Sequence, residues 1–220
     1  ELNDISLAVK NSEFTVFRQA LEKGSVRALC VKGGADKFTR KEIDAFADFV
    51  KDYGAKGLAW ASKKNDGSTT STFYKFLTED EIKNIEDILH AEKGDLILVV
   101  ADNKNKVVYD SLGALRTHIA DKLGLYDKNE YDILWITEFP LLEWSDEDNR
   151  FYAMHHPFTS PNPEDIGLFD TDPGKIRANA YDFVVNGVEV GGGSIRIFDA
   201  ELQAKMFETL GFTHEEAENQ

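Results

Sequence analysis

Two acids, three consecutive glycines and an arginine occur within the segment YDFVVNGVEVGGGSIRI, which covers residues 181–197. Carboxylates are hard oxygen ligands for a divalent cation, and a guanidinium binds a carboxylate or a phosphate through paired hydrogen bonds. Asn186-Gly187 lies between two β-rich runs, and this dipeptide favours a two-residue turn because both positions adopt positive φ. The segment is therefore predicted to be a β-hairpin that carries these groups.

The predicted register places the two acids on one face of the hairpin. A two-residue turn pairs Val184 with Glu189 and Phe183 with Val190, and side chains alternate between the faces of each strand. Asp182 and Glu189 then become diagonal neighbours, roughly 7–8 Å apart, a span that one divalent cation with its waters bridges. Two acids on a solvated sheet face are the structural alternative. The opposite face is predicted to be apolar and to consist of Phe183, Val185, Val188 and Val190.

The three glycines are predicted to interrupt this alternation. Unbroken alternation beyond Val190 would bury Arg196, although Ile195 and Ile197 are the apolar residues there. A glycine bulge within Gly191–Gly193 shifts the phase by one residue and turns Arg196 towards the carboxylates. Bare glycines also let a ligand approach the backbone. A twisted strand at the corner of a barrel is the structural alternative.

A second candidate lies in the loop MHHPFTSPNPED, residues 154–165. His155 and His156 suit three roles: metal ligands, ligands of a substrate, or ordinary loop residues. Adjacent histidines rarely chelate one zinc ion, and no cysteine or further histidine lies at zinc-ligand spacing. Three prolines within seven residues predict a fixed loop, typical of a segment that covers a substrate, and the imidazoles suit hydrogen bonds to an anion.

Bulk composition excludes several classes of protein. The 220 residues carry a net charge of −15 and are 42% hydrophobic, which disfavours disorder and general binding of nucleic acid or anionic membrane. The single cysteine, Cys30, excludes an intrachain disulfide and suits a reducing, cytoplasmic setting; its apolar surroundings favour a small buried residue over a nucleophile. No run has membrane-spanning length, and no GxSxG, P-loop or Rossmann fingerprint is present.

The elements that position these groups fall into two blocks. Residues 13–127 mix helices and strands and are predicted to form an α+β unit. Ser12, Thr39 with Glu42, and Thr78 with Glu81 are predicted to cap three helices. Strands are predicted over residues 26–31, 57–62, 72–77, 96–101 and 106–109, followed by a helix over 111–123.

The second block contains the hairpin and the histidine loop. Strands are predicted over residues 132–139 and 151–154, and a helix over 199–210. Thr213 and Glu216 form a further capping box close to the last residue, which predicts that the sequence is cut from a longer protein.

Several stretches together resemble one family. ILWITEFPLLEW at 133–144, YAMHHPFTSP at 152–161 and the hairpin at 181–197 closely resemble bacterial-type aspartyl-tRNA synthetase, a class II aminoacyl-tRNA synthetase. SEFTVFRQAL at 12–21, GGADKFTRKEID at 33–44 and YGAKGLAW at 53–60 resemble the GAD insertion domain of the same enzymes. The resemblance covers essentially the whole chain, and its motifs are specific in combination.

The resemblance implies an α+β chain with three parts. Residues 1–12 would be a lead-in from the catalytic domain, 13–127 the GAD insertion domain, and 128–220 part of the class II antiparallel catalytic sheet. The parent enzyme would be a cytoplasmic homodimer that activates L-aspartate with ATP and Mg²⁺ to aspartyl-adenylate and transfers it to tRNA.

The resemblance also implies residue roles. His155, His156 and Arg196 would hold substrate aspartate, with Arg196 on its side-chain carboxylate. Asp182 and Glu189 would bind Mg²⁺ and the phosphates of ATP, with Gly191, Gly192 and Gly193 in the ATP site. Motifs 1, 2 and 3 of the class are absent from these 220 residues, so the isolated chain is expected to be inactive. The family often has histidine where this chain has Phe198, so no role is carried to that position.

Two other functions remain open at this point. One is a non-catalytic GAD-type binding module, as in tRNA-dependent amidotransferases, which would not need the features of residues 152–197. The other is a different magnesium-dependent nucleotide enzyme built on the hairpin.

Overall fold

The computed structural model describes residues 1–127, 129–213 and 215–216. The chain divides into two compact units, Glu1–Asp127 and Lys128–Gln220. Residue 128, where a domain boundary is predicted, lies outside the described residues. No described helix is both long and apolar enough to cross a membrane.

Unit 1 contains a five-stranded antiparallel sheet with helices packed on both faces. Its strands follow the spatial order β1-β2-β5-β3-β4 and are β1 (Asn3–Asp4), β2 (Ser25–Val31), β3 (Ala59–Lys63), β4 (Thr69–Ser71) and β5 (Leu96–Asp102). Its helices are α1 (Thr15–Ala20), α2 (Arg40–Phe49), α3 (Glu79–Ile88) and α4 (Asn105–Leu123), with short 3₁₀ helices at Val50–Tyr53 and Tyr74–Phe76.

The central strand β5 explains why unit 1 has a core on each side of its sheet. Leu96, Leu98 and Val100 pack with α2 and α4, whereas Ile97 and Val99 pack with α1 and α3. Because both faces of β5 are buried, nearly all its residues are apolar rather than alternating. Unit 1 therefore has an apolar layer on each side of one sheet. This arrangement confirms the prediction of an α+β fold.

Two of the predicted helix starts are confirmed in hydrogen-bonding detail. Thr39 accepts from the Glu42 N–H while the Glu42 side chain accepts from the Thr39 N–H. Thr78 and Glu81 make the same reciprocal contacts. Each box satisfies two donors that the first turn of a helix leaves unpaired.

The strand predicted over residues 106–109 is wrong, because these residues form the first turns of α4. The β-branched Val107 and Val108 favour a strand locally. Val108, however, continues the helical spacing of Leu112, Leu115 and Ile119, and all four side chains are buried in one core. Burial along one helix face therefore overrides local β propensity.

The strand predicted over residues 72–77 is also wrong. The Ser71 hydroxyl accepts hydrogen bonds from the N–H groups of Phe73 and Tyr74, which ends β4 and starts a 3₁₀ turn. The predicted cap at Ser12 fails as well, since Phe14 occupies the N-cap of α1 without a side-chain hydrogen bond. Ser12 is buried, with no described partner for its hydroxyl.

The first twelve residues contribute directly to unit 1. Asn3 and Asp4 pair with Ala28 and Arg27 of β2. Ile5 and Val9 are fully buried in the core beside α1 and α3. The segment predicted to be a lead-in therefore supplies one strand and two core side chains to this unit.

The described residues of unit 2 contain a three-stranded antiparallel sheet, a separate two-stranded ribbon and the helix α5. The sheet has the order β10-β9-β6, with β6 (Ile133–Thr137), β9 (Ala180–Val185) and β10 (Val188–Ser194), and the ribbon pairs β7 (Leu142–Ser145) with β8 (Arg150–Ala153). Pro163–Asp170 and Pro173–Lys175 form 3₁₀ helices, and α5 (Ala200–Thr209) follows the sheet. Its core contains Leu141, Leu142, Phe169, Ile176, Met206 and Leu210.

The structure describes the C-terminal end of the chain only in part. Asp199 caps α5 by accepting from the Leu202 N–H. Thr213 and Glu216 make the reciprocal hydrogen bonds of a capping box, as predicted. A helix continuing from this box would lie largely in residues 217–220, outside the described residues.

Asp95 ties the loops at one end of the unit 1 sheet. Its nearly buried carboxylate accepts from Lys32 Nζ and from the N–H groups of Gly33 and Glu92. Burial alone would raise the pKa of this carboxyl, but the hydrogen bonds from Glu92, Lys32 and Gly33 together lower it below its ordinary value. Burial also raises the pKa of the neighbouring Cys30 thiol to about 11, which disfavours a nucleophilic thiolate.

We expect Asp95→Asn to destabilise unit 1 by about 1–3 kcal/mol, because an amide cannot accept all these hydrogen bonds. Since folding lowers the pKa of Asp95, its stabilisation is present above the unfolded pKa, about 3.9, and disappears as the pH falls through the folded pKa. Urea unfolding followed by the NMR signal of the Trp60 indole measures the difference between wild type and variant at several pH values.

Asp48→Asn is the control, since Asp48 forms an exposed i,i+3 pair with Lys51 and should cost less than about 0.5 kcal/mol. A difference in unfolding free energy between wild type and Asp95→Asn that stays constant from pH 7 down to pH 3.5 would contradict the expected pH dependence.

Candidate functional site

The hairpin of β9 and β10 forms with the predicted turn. Asn186 and Gly187 have φ of 51° and 79°, as the two-residue turn requires. Val185 pairs with Val188 and Val184 with Glu189, as predicted. The Asn186 side chain also accepts from the Asp132 N–H and donates to the carbonyl of Glu130. These bonds fix the turn against the chain segment that leads into β6.

The predicted pairing of Phe183 with Val190 is wrong. The register shifts between Glu189 and Gly191, so that Gly191 lies opposite Phe183 and Gly192 opposite Asp182. The extra residue is thus Val190, which lies just before the predicted range Gly191–Gly193. The glycines tolerate the irregular backbone that follows the bulge, but they do not contain it.

The predicted division of the hairpin into an apolar and a polar face is also altered. Val188 and Val190 are exposed rather than buried. As predicted, Val184 shares a face with Asp182 and Glu189, and it is the most buried valine of the hairpin. The two carboxylates therefore lie on a face that also carries one buried apolar side chain.

Gly192 lies directly below both carboxylates. A Cβ atom at Gly192 would be 2.4 Å from Asp182 Oδ1 and 3.2 Å from Glu189 Oε1. Both oxygens therefore face one small space that only a residue without a side chain leaves open. Gly191 has no neighbour within 4 Å of such an atom, and Gly193 would meet the Tyr181 hydroxyl at 2.8 Å.

Arg196 shares the face of the carboxylates. Gly192 lies opposite Asp182 and Ser194 opposite Ala180, so alternation places Arg196 on the same side as Asp182. Arg196 is exposed, and within the part of the chain that the structure describes its guanidinium has no carboxylate partner. Its fork of donors therefore stays available to a ligand.

Backbone pairing brings the histidine loop next to Arg196. Thr159 and Arg196 form an antiparallel bridge, and the N–H groups of Ser160 and Ile197 donate to the carbonyls of Ile195 and Phe158. Thr159 is fully buried, and its hydroxyl contacts the Ser194 hydroxyl at 3.3 Å. The loop and the strand after the glycines are thus one continuous ribbon.

His155 and His156 are both exposed at the start of this loop. His156 Nδ1 accepts from the Phe158 N–H at 3.2 Å, and the centres of the His156 and Phe158 rings lie 5.2 Å apart. A neutral His156 ring therefore carries its proton on Nε2, which leaves that N–H as a donor for a ligand. The described residues contain no group of three metal-ligating side chains, so the histidines do not form a zinc centre within this part of the chain.

A second arginine, Arg177, holds the far end of the histidine loop. Its guanidinium binds Asp165 through two nitrogens and also reaches Glu138 and Glu164, at 2.8–3.1 Å. The side-chain hydrogen bond from Arg177 lowers the pKa of Asp165. Glu138, just beyond β6, has a φ of 59°, a conformation rarely adopted by residues other than glycine.

The role of Arg177 is not predicted from the sequence. The backbone on both sides of it is paired, since Ala178 N–H donates to Phe139 and Asn162 N–H donates to the Arg177 carbonyl. Three acids lie within the adjoining polar segments, but nothing in their spacing indicates that they meet on one arginine. The contacts between these distant segments become visible only in the fold.

The arrangement suits a ligand with negative charge at both ends. Two carboxylates that converge on one space match a hard divalent cation, which prefers oxygen ligands and commonly completes its shell with water and phosphate. A free guanidinium on the same face matches a carboxylate. The residues present therefore fit a magnesium-bound polyphosphate at one end of the site and an acidic group at the other.

Comparison with known proteins agrees with this chemistry. Residues 17–112 match the GAD domain family. The chain is 57% identical over 218 residues to the aspartate–tRNA ligase of Clostridium botulinum (strain Langeland), which covers 99% of the chain. It is 55% identical, over the same share, to the aspartate–tRNA(Asp/Asn) ligase of Lachnoclostridium phytofermentans.

Over nearly its whole length, the chain is similar to part of these bacterial aspartate–tRNA ligases. It spans 36% of the length of the Clostridium botulinum relative, about a third of that protein. The similarity to these synthetases includes both the GAD domain in unit 1 and the candidate site in unit 2, since it covers 99% of the chain.

We expect Gly192→Ala to lower the free energy of unfolding of unit 2 by about 1 kcal/mol or more, because the new methyl group would displace Asp182 and crowd the Tyr181 carbonyl. Gly191→Ala is the matched control and should change stability by less than about 0.5 kcal/mol. Urea unfolding followed by the NMR signal of the Trp135 indole, whose ring lies 4.9 Å from that of Phe183, measures both. Equal effects of the two substitutions would contradict the crowding at Gly192.

Proposed function

We propose that the chain is part of an aspartate–tRNA ligase, which activates L-aspartate with ATP to aspartyl-adenylate and transfers the aspartyl group to tRNA. The observation that carries the proposal is the convergence of Asp182 and Glu189 above Gly192, on the face that also presents Arg196. Both substrates of the first step are anionic, and this face offers a distinct partner for each.

In this proposal Arg196 binds the side-chain carboxylate of aspartate. A planar fork of donors matches the two oxygens of a carboxylate, which a lysine ammonium does not. His155 and His156 lie on the ribbon that pairs with the strand of Arg196, and they contribute further hydrogen bonds. The contact from Phe158 N–H to His156 Nδ1 orients that ring so that Nε2–H is the donor.

The opposite part of the face binds ATP in this proposal. Asp182 and Glu189 hold Mg²⁺, which when bound offsets the charge of the phosphates and of the leaving pyrophosphate. The strand has no side chains at Gly191, Gly192 and Gly193, so the nucleotide approaches the backbone closely there. Aspartate and ATP then meet with the α-carboxylate of aspartate near the α-phosphate of ATP. Adenylate formation needs this geometry.

The wider setting of the proposal is that of a bacterial synthetase. It comprises a cytoplasmic homodimer with L-aspartate, ATP and tRNA as its partners. The competing interpretation, a GAD-type binding module without catalysis, is less well supported, because the similarity to aspartate–tRNA ligases extends over 99% of the chain and not only over residues 17–112.

We expect the isolated 220-residue chain to show no aspartate-dependent exchange of pyrophosphate into ATP. The arginines of motifs 2 and 3, which the family resemblance assigns to the charge that develops on the α-phosphate, are absent from these residues. Exchange above that of a preparation from cells with an empty vector would show that this expectation is wrong.

A chimera tests the proposal itself. Residues 1–220 replace the matching segment of the Clostridium botulinum ligase, and the chimera is expected to catalyse aspartate-dependent exchange. Arg196→Lys in this chimera should raise the KM for aspartate about tenfold or more, corresponding to roughly 1.5–3 kcal/mol for a charged hydrogen bond. Glu189→Gln should instead change the ATP and Mg²⁺ dependence, by raising the concentrations that exchange requires, because it removes one charged oxygen ligand.

Arg177→Lys is the matched control for the arginine assignment. Arg177 is bound by Asp165, Glu138 and Glu164, so its substitution should lower the melting temperature and leave the KM for aspartate within about twofold. A folded chimera without exchange activity would overturn the proposal. An Arg196→Lys chimera that melts early yet retains its KM for aspartate would overturn the role of Arg196 alone.

A further inference from the structure

A cleft of about 560 Å³ opens in unit 1 beside α1. It is lined by residues from α1, from the segment 56–59, and from the end of β5. Small-molecule sites in proteins commonly have volumes of roughly 300–1,000 Å³. All the lining residues belong to unit 1, so the cleft is separate from the candidate site in unit 2.

The lengths of the elements explain why this space is open. The pairing of β3 with β5 begins at Ala59 and Val99, so β5 extends past its partner as far as Asp102. The short helix α1 covers the sheet only with Phe17 and Ala20, which are almost fully buried. The floor of the cleft is therefore apolar, and it favours the apolar body of a ligand.

Asp102 is the buried charged residue among those that line the cleft. Its side chain is only 5% exposed. Oδ1 accepts from the Lys104 N–H at 2.9 Å, whereas the contact recorded for Oδ2 is Lys56 Nζ at 4.0 Å, beyond hydrogen-bonding distance. The ion pair between Oδ2 and the exposed Lys56 is therefore long, and a donor placed in the cleft would give Oδ2 a closer partner.

The charges around the cleft favour a cation. Asp102 and Glu22 line it, and the chain as a whole carries a net charge of −15. Lys56 is the opposing charge, but its side chain is 83% exposed and extends from the rim. An anionic ligand would be attracted by Lys56 at the rim but repelled by the buried carboxylate of Asp102. The electrostatic interactions in the cleft are therefore unfavourable for an anion.

We propose that this cleft binds a small organic cation, in which an ammonium or guanidinium group is carried on an apolar body and donates to Asp102 Oδ2. The apolar body lies on Phe17 and Val99, and the cationic group replaces the distant Lys56 as the partner of the carboxylate. This inference does not depend on the function proposed for unit 2.

Phenethylamine is a suitable probe, because it combines an aromatic ring with a primary ammonium group. Titrated into the 220-residue chain, it should shift the backbone NMR signals of Val99, Ala101 and Asn103 in a saturable manner. Its neutral analogue 2-phenylethanol should bind at least tenfold more weakly, since it lacks the charge that pairs with Asp102. Equal affinity of the two compounds, or shifts centred elsewhere, would overturn the proposal.

Two variants locate the interaction. Asp102→Asn should weaken phenethylamine binding at least tenfold, and Lys56→Met should leave it equal or make it tighter, because it removes a competing cation. Asp52→Asn, outside the cleft, is the control and should have no effect. Unchanged binding by a folded Asp102→Asn chain overturns the proposal. If the Asp102→Asn chain unfolds, the Lys56→Met chain tests the proposal instead. Weaker phenethylamine binding by Lys56→Met, a substitution at an exposed residue, would then overturn the proposal.

Discussion

The candidate site depends on one extra residue in one strand. Without the shift at Val190, regular alternation would place Ile195 and Ile197 on the face of Asp182, and Arg196 on the opposite face. The bulge reverses this phase for everything that follows it in β10. A single irregularity in backbone pairing therefore brings an arginine to the same surface as two carboxylates, with no change in the rest of the hairpin.

The three consecutive glycines then have different structural roles. Gly192 leaves the space into which the carboxylates of Asp182 and Glu189 converge, and Gly193 leaves room for the Tyr181 ring. Gly191 has open space beside it, and its Cβ would meet nothing. Among the described residues, no neighbour therefore requires the absence of a side chain at Gly191.

Sequence reasoning succeeded where a short-range interaction decides the structure. The capping boxes at Thr39 and Thr78 and the Asn186 turn form locally, so their residue types are sufficient to predict them. It failed where distant contacts decide. Val107 and Val108 favour a strand locally but are helical because the α4 face packs on the sheet, and the bulge was placed in the glycines although the register shifts at Val190. For the site, the sequence indicated the residues and their common face, but not the convergence above Gly192.

Arg177 and Arg196 in unit 2 illustrate why residue type alone does not identify a binding group. Arg177 is surrounded by three carboxylates and satisfies them at the junction of β6, the histidine loop and β9. Because a guanidinium that is already paired must lose its partners before it binds a ligand, Arg177 serves the shape of the loop. In the proposed site the ligand is therefore assigned to Arg196, which has no carboxylate partner among the described residues.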